Sequence, residues 1–170
     1  MTPDQITALR AKVFADSSAN ALLAAGDSAG LRTYLNTVVP AYIVWRTAVT
    51  QDEILRSSAF DWTRVDNLSV GKDRIWGMMF RNSITSIDPS QANIRAGIDA
   101  VWVGTQADLN VRAAVYVKCK RSATMAEKML ATGTGTDASP AVMDLQGEVS
   151  DNDTGRIIFH DNGVIWTVGG

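Results

Sequence analysis

The sequence predicts a mainly α protein: a helical bundle body over residues 1–131, a hinge loop at 132–140, and a C-terminal extended β-hairpin arm at 141–170. Three observations predict it. Apolar residues recur at helical spacing, each run opened by a capping residue, as far as about residue 131. The period then changes to two, with Met143, Leu145, Gly147 and Val149 alternating with Asp144, Gln146 and Glu148. Last, Asn162-Gly163 stands between two β-rich runs, GRIIFH and VIWTV, which is a strong short-range hairpin signal.

The elements follow in order. Thr2 is a cap with Pro3 at the first helical position, and Ile6, Leu9, Val13 and Phe14 fall on one face, which predicts a helix of about three turns. Residues 18–25 form an Ala/Leu-rich second helix stopped near Gly26. Residues 27–38 carry Leu31, Tyr34, Leu35 and Val38 until Pro40 interrupts them. PAYIVWRTAV (40–49) is a dense apolar run that fits a buried helix or a strand equally well. Thr50-Gln-Asp-Glu53 has the form of a capping box, so a short helix through Ile54 and Leu55 is expected.

Leu68, Ile75, Met78 and Met79, with Trp76 beside them, predict a helix from about 67 to 81. Asp88-Pro89 with Gln91 reads as another cap with proline at the first helical position. Ile94, Ile98, Val101 and Trp102 then share one stripe before Gly104. Thr105 and Asp108 start the next helix, with Leu109, Val111, Ala113, Val115 and Tyr116 facing inward, and Thr124 with Glu127 starts a last one holding Met125, Met129 and Leu130.

At 170 residues the chain has the length of one domain, long enough to bury roughly 70% of its unfolded surface. Hydrophobic content of 46% against 20% charged residues is that of a globular protein, not a disordered one. The formal net charge of −2 gives no reason, from totals, to infer a strongly basic face for nucleic acid. Cys119 is the only cysteine, which excludes an internal disulfide and fits a reducing cytoplasm. No run approaches the ~20 apolar residues of a membrane span and MTPDQITALR lacks the apolar core of a signal peptide, so a soluble chain with no membrane partner is expected.

Neither catalytic residues, cofactor nor metal are expected. The glycines of MLATGTGTDASP (129–140) leave a helix instead of leading a strand into one, no Lys-Ser or Lys-Thr follows Gly135, and no third glycine completes the dinucleotide spacing. Gly133 is read as the residue after a helix end, and Gly135, Ser139 and Pro140 as a joint. His160 is the only histidine and is read as a strand residue, and with one cysteine it cannot close a zinc site. Asp151-Asn152-Asp153-Thr154-Gly155 resembles a calcium loop, but the glycine comes one place early and position twelve is Asn162, so a polar turn is expected. Cys119, between two lysines and after AAVYV, reads as a packed thiol.

What remains is interface chemistry. Arg112, Lys118, Lys120 and Arg121 form a basic cluster, either a solvated helix end or a contact with an acidic partner or DNA phosphate. Five tryptophans suggest anchors as well as core, so Trp45-Arg46 and Trp62-Thr-Arg64 are interface candidates beside the core reading of each ring. On the arm, Ile158, Phe159, Ile165 and Trp166 are candidates because an isolated hairpin needs a cover.

Four stretches, PAYIVWRTAVTQDEI (40–54), FDWTRVDNLSVGKDRIW (60–76), IDPSQANIRAGIDAVWVGT (87–105) and VRAAVYVKCKRSATMAEKMLATGTGT (111–136), resemble a family of small proteins encoded in tailed-phage and prophage genomes. The resemblance implies a role in virion morphogenesis, as a head-to-tail adaptor in the neck. It implies a helical body with a projecting arm, a homo-oligomeric ring touching portal and tail or neck proteins, non-specific passage of DNA, and no enzymatic activity. The chain would be made in the bacterial host cytoplasm and end in the virion. A tail-completion or tail-tube-end protein, and a non-virion assembly factor or small enzyme, are the alternatives. The part after Val149 departs from the ending the family pattern leads one to expect.

Overall fold

The structure, a computed structural model, describes residues 1–80 and 85–159. Among them the chain is mainly α, with ten helices and two small two-stranded sheets. It divides into two compact units, the first built from Met1–Val44 with Ser122 onward, the second from Trp45–Arg121. The division follows contacts between segments distant in sequence, not the change of period.

In the first unit, helix α1 (Pro3–Ala15) begins with a complete capping box, Thr2 accepting from the Gln5 amide and Gln5 returning a bond to Thr2 N–H. Helices α2 (Ser17–Ala24) and α3 (Ser28–Asn36) are capped by Asp16 and Asp27, each accepting from an amide three residues on at 2.9 Å. Ile6, Leu9 and Val13 of α1 pack with Ala19, Leu23, Leu31 and Leu35, all buried. Phe14, expected on that face, is 52% exposed and carries the Arg10 guanidinium over its ring at 5.4 Å. The turn at Asp16 already directs the chain away there.

The ambiguous run at 40–49 is a strand. β1 (Val38–Trp45) pairs with β4 (Lys120–Thr124), and Ile43 N–H also donates to Gly135 O at 2.7 Å while Ile43 O accepts from Ala141 N–H at 3.0 Å. A strand satisfies its backbone through neighbours, and here segments almost a hundred residues away supply them. Helix α9 (Met125–Leu130) starts with the Thr124–Glu127 box as its spacing predicts.

Residues 141–159 do not form a projecting β-arm. The alternation is visible as burial of Ala141, Met143 and Leu145 against exposed Val142 and Asp144, but the hydrogen bonding is limited to isolated bridges at Ala141 and Val142. Asp151–Phe159, expected as turn and strand, is helix α10. Ser150 and Asp153 cap it reciprocally, with Asp153 N–H donating to Ser150 Oγ at 3.2 Å and Ser150 N–H to an Asp153 carboxylate oxygen at 3.1 Å. Leu145, Val149 and Ile157 complete the first unit's core, so this segment belongs to its own body. The hairpin turn, His160, Ile165 and Trp166 lie outside the described residues.

The loop expected as a joint is tied down. Gly133 and Gly135 take positive φ of 123° and 69°, Tyr42 Oη donates to Gly133 O at 3.2 Å, and Thr132 and Val142 exchange two backbone bonds of 2.9 Å. Their left-handed backbone is what glycine was placed there to supply.

The second unit holds β2 (Val49–Thr50), antiparallel to β3 (Ser86–Ile87), and helices α4 (Gln51–Leu55), α5 (Thr63–Asp66), α6 (Val70–Met79), α7 (Ala92–Val101) and α8 (Gln106–Cys119). The Thr50–Glu53 and Thr105–Asp108 boxes open α4 and α8 as read from sequence. The helix expected over 67–81 is shorter and presents a different face: Trp76 and Met79 are buried, whereas Ile75 and Met78 are 39% and 60% exposed. Trp76 enters an aromatic cluster with Phe60 and Trp102, ring centroids 5.3–6.2 Å apart, and that burial fixes the rotation of α6. Asp88-Pro89 is a turn and not the first turn of α7, since Asp88 accepts from Ser90 N–H at 2.9 Å and the helix begins at Ala92. Ile98, Val101 and Trp102 are buried and Ile94 packs against them, as the stripe predicts. On α8, Ala114 instead of Ala113 turns inward beside Val111 and Val115.

Candidate functional site

The structure gathers several of the sequence's interface candidates around Trp45, on the second unit. Trp45 is 9% exposed, and its ring tilts against Tyr116 at 5.6 Å between centroids. Two cations lie over that ring, the Arg95 guanidinium at 5.0 Å and the Lys120 ammonium at 5.9 Å. A buried indole flanked this way holds long side chains at the surface in defined positions.

Arg46 is anchored on three sides. Its backbone N–H donates to Cys119 O at 2.8 Å, one guanidinium nitrogen donates to Lys118 O at 3.0 Å, and the other to Glu53 Oε1 at 2.7 Å. Glu53 is thereby doubly used: the Thr50 amide and then Arg46 hold its carboxyl below the usual carboxylate range. Donating to the C-terminal carbonyls of α8, Arg46 also places positive charge where the helix dipole favours it.

Tyr116 links the next pair. Its hydroxyl donates to Asp99 Oδ1 at 2.9 Å and lies 3.2 Å from Arg95 O, and burial followed by the Asp99 hydrogen bond pushes its pKa up. Asp99 also faces Arg112 at 3.5 Å. Arg46, Arg95, Arg112 and Lys120 thus lie about Trp45 and two carboxylates, Glu53 and Asp99, with Lys118 two residues before Lys120 and its carbonyl bound by Arg46, and the face is net positive. Arg121 follows Lys120 on β4 and is half-buried.

The face has no activated nucleophile. Cys119 is fully buried and desolvation pushes its thiol up to about 12, so it is a packed thiol, not a thiolate. Among the described residues no group of three or more His, Cys, Asp or Glu side chains is placed to hold a metal ion. What the arrangement offers is anchored cations beside an aromatic ring, suited to binding an anionic surface.

Other candidates are placed elsewhere. Trp62 is 56% exposed and stands edge-on to Phe60 at 5.8 Å. Arg64 donates twice to Asp108 Oδ1, at 2.7 and 3.1 Å, and Asp108 caps α8, so Arg64 is a structural residue. Asp108 lies ten residues from Lys118 along α8, about 15 Å at 1.5 Å per residue, so this pair and the Trp45 face are distinct. Ile158 packs into the first unit and Phe159 is 65% exposed. Arg95, Tyr116, Glu53 and Asp99 had no signal in sequence as members of the face, because they join it from three helices, Glu53 from α4, Arg95 and Asp99 from α7 and Tyr116 from α8.

Fold and face together define a mainly helical protein with a cationic, aromatic-anchored surface, and among the described residues no helix is long and apolar enough to cross a membrane. No family model, no curated protein and no solved structure matches the chain.

Proposed function

We propose that this chain is a structural protein of a tailed phage, a head-to-tail adaptor that forms a homo-oligomeric ring between portal and tail and has no enzymatic activity. The observation that carries this is the resemblance of the four stretches between residues 40 and 136 to phage morphogenesis proteins. Those stretches contribute Trp45, Arg46, Arg95, Arg112, Lys118 and Lys120, the residues of the cationic face. Ring subunits need lateral surfaces anchored by aromatic and arginine side chains, and this face has that chemistry. A near-balanced total charge suits a ring through which DNA passes without being gripped in sequence-specific fashion.

Mass spectrometry of purified virions tests the assignment, with electron microscopy of the neck to place and count the subunits. The chain is expected in mature particles at a copy number matching one ring. Its absence from particles that are otherwise complete would refute the proposal.

A further inference from the structure

The near-neutral total conceals an asymmetry. The second unit carries eleven basic and eight acidic side chains, a formal +3, whereas the first carries five basic and ten acidic, a formal −5. The charges are also blocked along the chain. Between Asp108 and Glu127 there are four cations and no acid; between Lys128 and Arg156 there are five acids and no cation. Of those acids Asp137, Asp144, Glu148 and Asp151 are exposed, on the first unit.

We propose that copies of this chain associate head to tail, the cationic face around Trp45 of one copy seating on the acidic 137–151 segment of the next. Complementary charge steers such an encounter and fixes its register. Each block also contains an exposed valine, Val117 beside Lys118 at 68% and Val142 between Asp137 and Asp144 at 39%, which supplies apolar surface to desolvate. Because face and segment are different patches, the contact is heterologous and propagates, closing into a ring when the rotation allows. Duplex DNA fits the face less well. Glu53 and Asp99 interrupt it with side chains 39% and 50% exposed, so it lacks the continuous cationic stripe a phosphate backbone follows. The inference rests on the ring reading only for closure; association is measured on purified protein without a virion, so either can fail alone.

The test is light scattering and sedimentation of the full chain at about 50 mM and about 500 mM salt, where the screening length falls from roughly 14 to 4 Å. Oligomers larger than a dimer are expected at low salt and dissociate at high salt. Lys118→Glu with Lys120→Glu leaves the face three cations against four acids, so both patches are net negative; Asp137→Lys with Asp144→Lys and Glu148→Lys leaves the segment three lysines against Asp151, so both are net positive. Each variant alone should be monomeric, with a wild-type far-UV spectrum showing that it is folded. Mixed in equal amounts, the two variants present patches of opposite net charge to each other, and assembly should return. If Lys120→Glu unfolds the protein through its place on Trp45, Lys118→Glu with Arg112→Glu, which leaves three cations against four acids, serves in the mixture. A wild-type chain monomeric at low salt, a species that stops at dimer, or a mixture that stays monomeric overturns the proposal. So does a basic-face variant that still assembles but no longer retards a short DNA duplex, since the face would then be a DNA contact.

Discussion

Ile157 and Phe159 separate the helix at the C-terminal end of the first unit from the strand that local sequence favours. In a strand, residues two apart share a face; in a helix they stand about 200° apart around the axis. Ile157 is fully buried in the first unit's core, with Ile6, Leu9 and Val13 of α1, whereas Phe159 is 65% exposed. Truncating Ile157 to Ala removes buried methyl groups and leaves a cavity, a loss of about 2–5 kcal/mol. Truncating Phe159 to Ala is expected to cost no more than about 0.5 kcal/mol, although it deletes the larger side chain. At a urea slope of about 2 kcal/mol per molar, Ile157→Ala should lower the midpoint by about 1–2.5 M, and Phe159→Ala should barely move it. Urea titrations followed by far-UV circular dichroism measure both. Comparable losses for the two variants would place them on one face and refute α10.

Truncation after Leu145 removes Val149, Asp153 and Ile157 and should therefore melt the first unit many degrees lower, a loss read by thermal circular dichroism. Asp108, held at about 2 by the Arg64 hydrogen bond and then by Thr105, has a folded pKa below its unfolded value of about 3.9. Its stabilisation is thus complete above about pH 4 and is lost as pH falls from 4 toward 2; Asp108→Asn should flatten that part of the stability–pH curve, measured by urea midpoints at successive pH values. Gly135→Ala combines a φ of +69° with a new methyl group against the Tyr42 ring, and should cost more than the ~1–2 kcal/mol of the backbone conformation alone; Gly26→Ala, at +68° with open space around it, isolates that backbone cost in the same melt. Ile98→Asp buries an unpaired charge at a fully buried position and should unfold the second unit, whereas Val70→Asp, at a position 76% exposed, should leave its near-ultraviolet tryptophan signal intact.

The sequence by itself determined the features that act over a few residues. Thr2, Thr50, Thr105 and Thr124 open helices as read, because a capping box closes within one turn and needs nothing from the rest of the chain. The Ile98, Val101 and Trp102 stripe was legible for the same reason. Ser150 and Asp153 carried an equally local signal, outweighed by the β-branched run that follows, and tertiary burial of Ile157 decided the helix. Whether 40–49 was strand or helix depended on partners at Gly135, Ala141 and β4, which no local pattern names. The rotation of α6 was set by Trp76 entering the Phe60–Trp102 cluster. The cationic face was half legible. Trp45, Arg46 and the 112–121 cations stand out by type, but Glu53 reaches them from α4 and Arg95 and Asp99 from α7. A net charge of −2 hid a +3 unit beside a −5 one, because totals add what the fold partitions. Local hydrogen bonds reach three or four residues and so can be read in line; burial, pairing and charge segregation join residues tens of positions apart, and only the tertiary structure decides which ones meet.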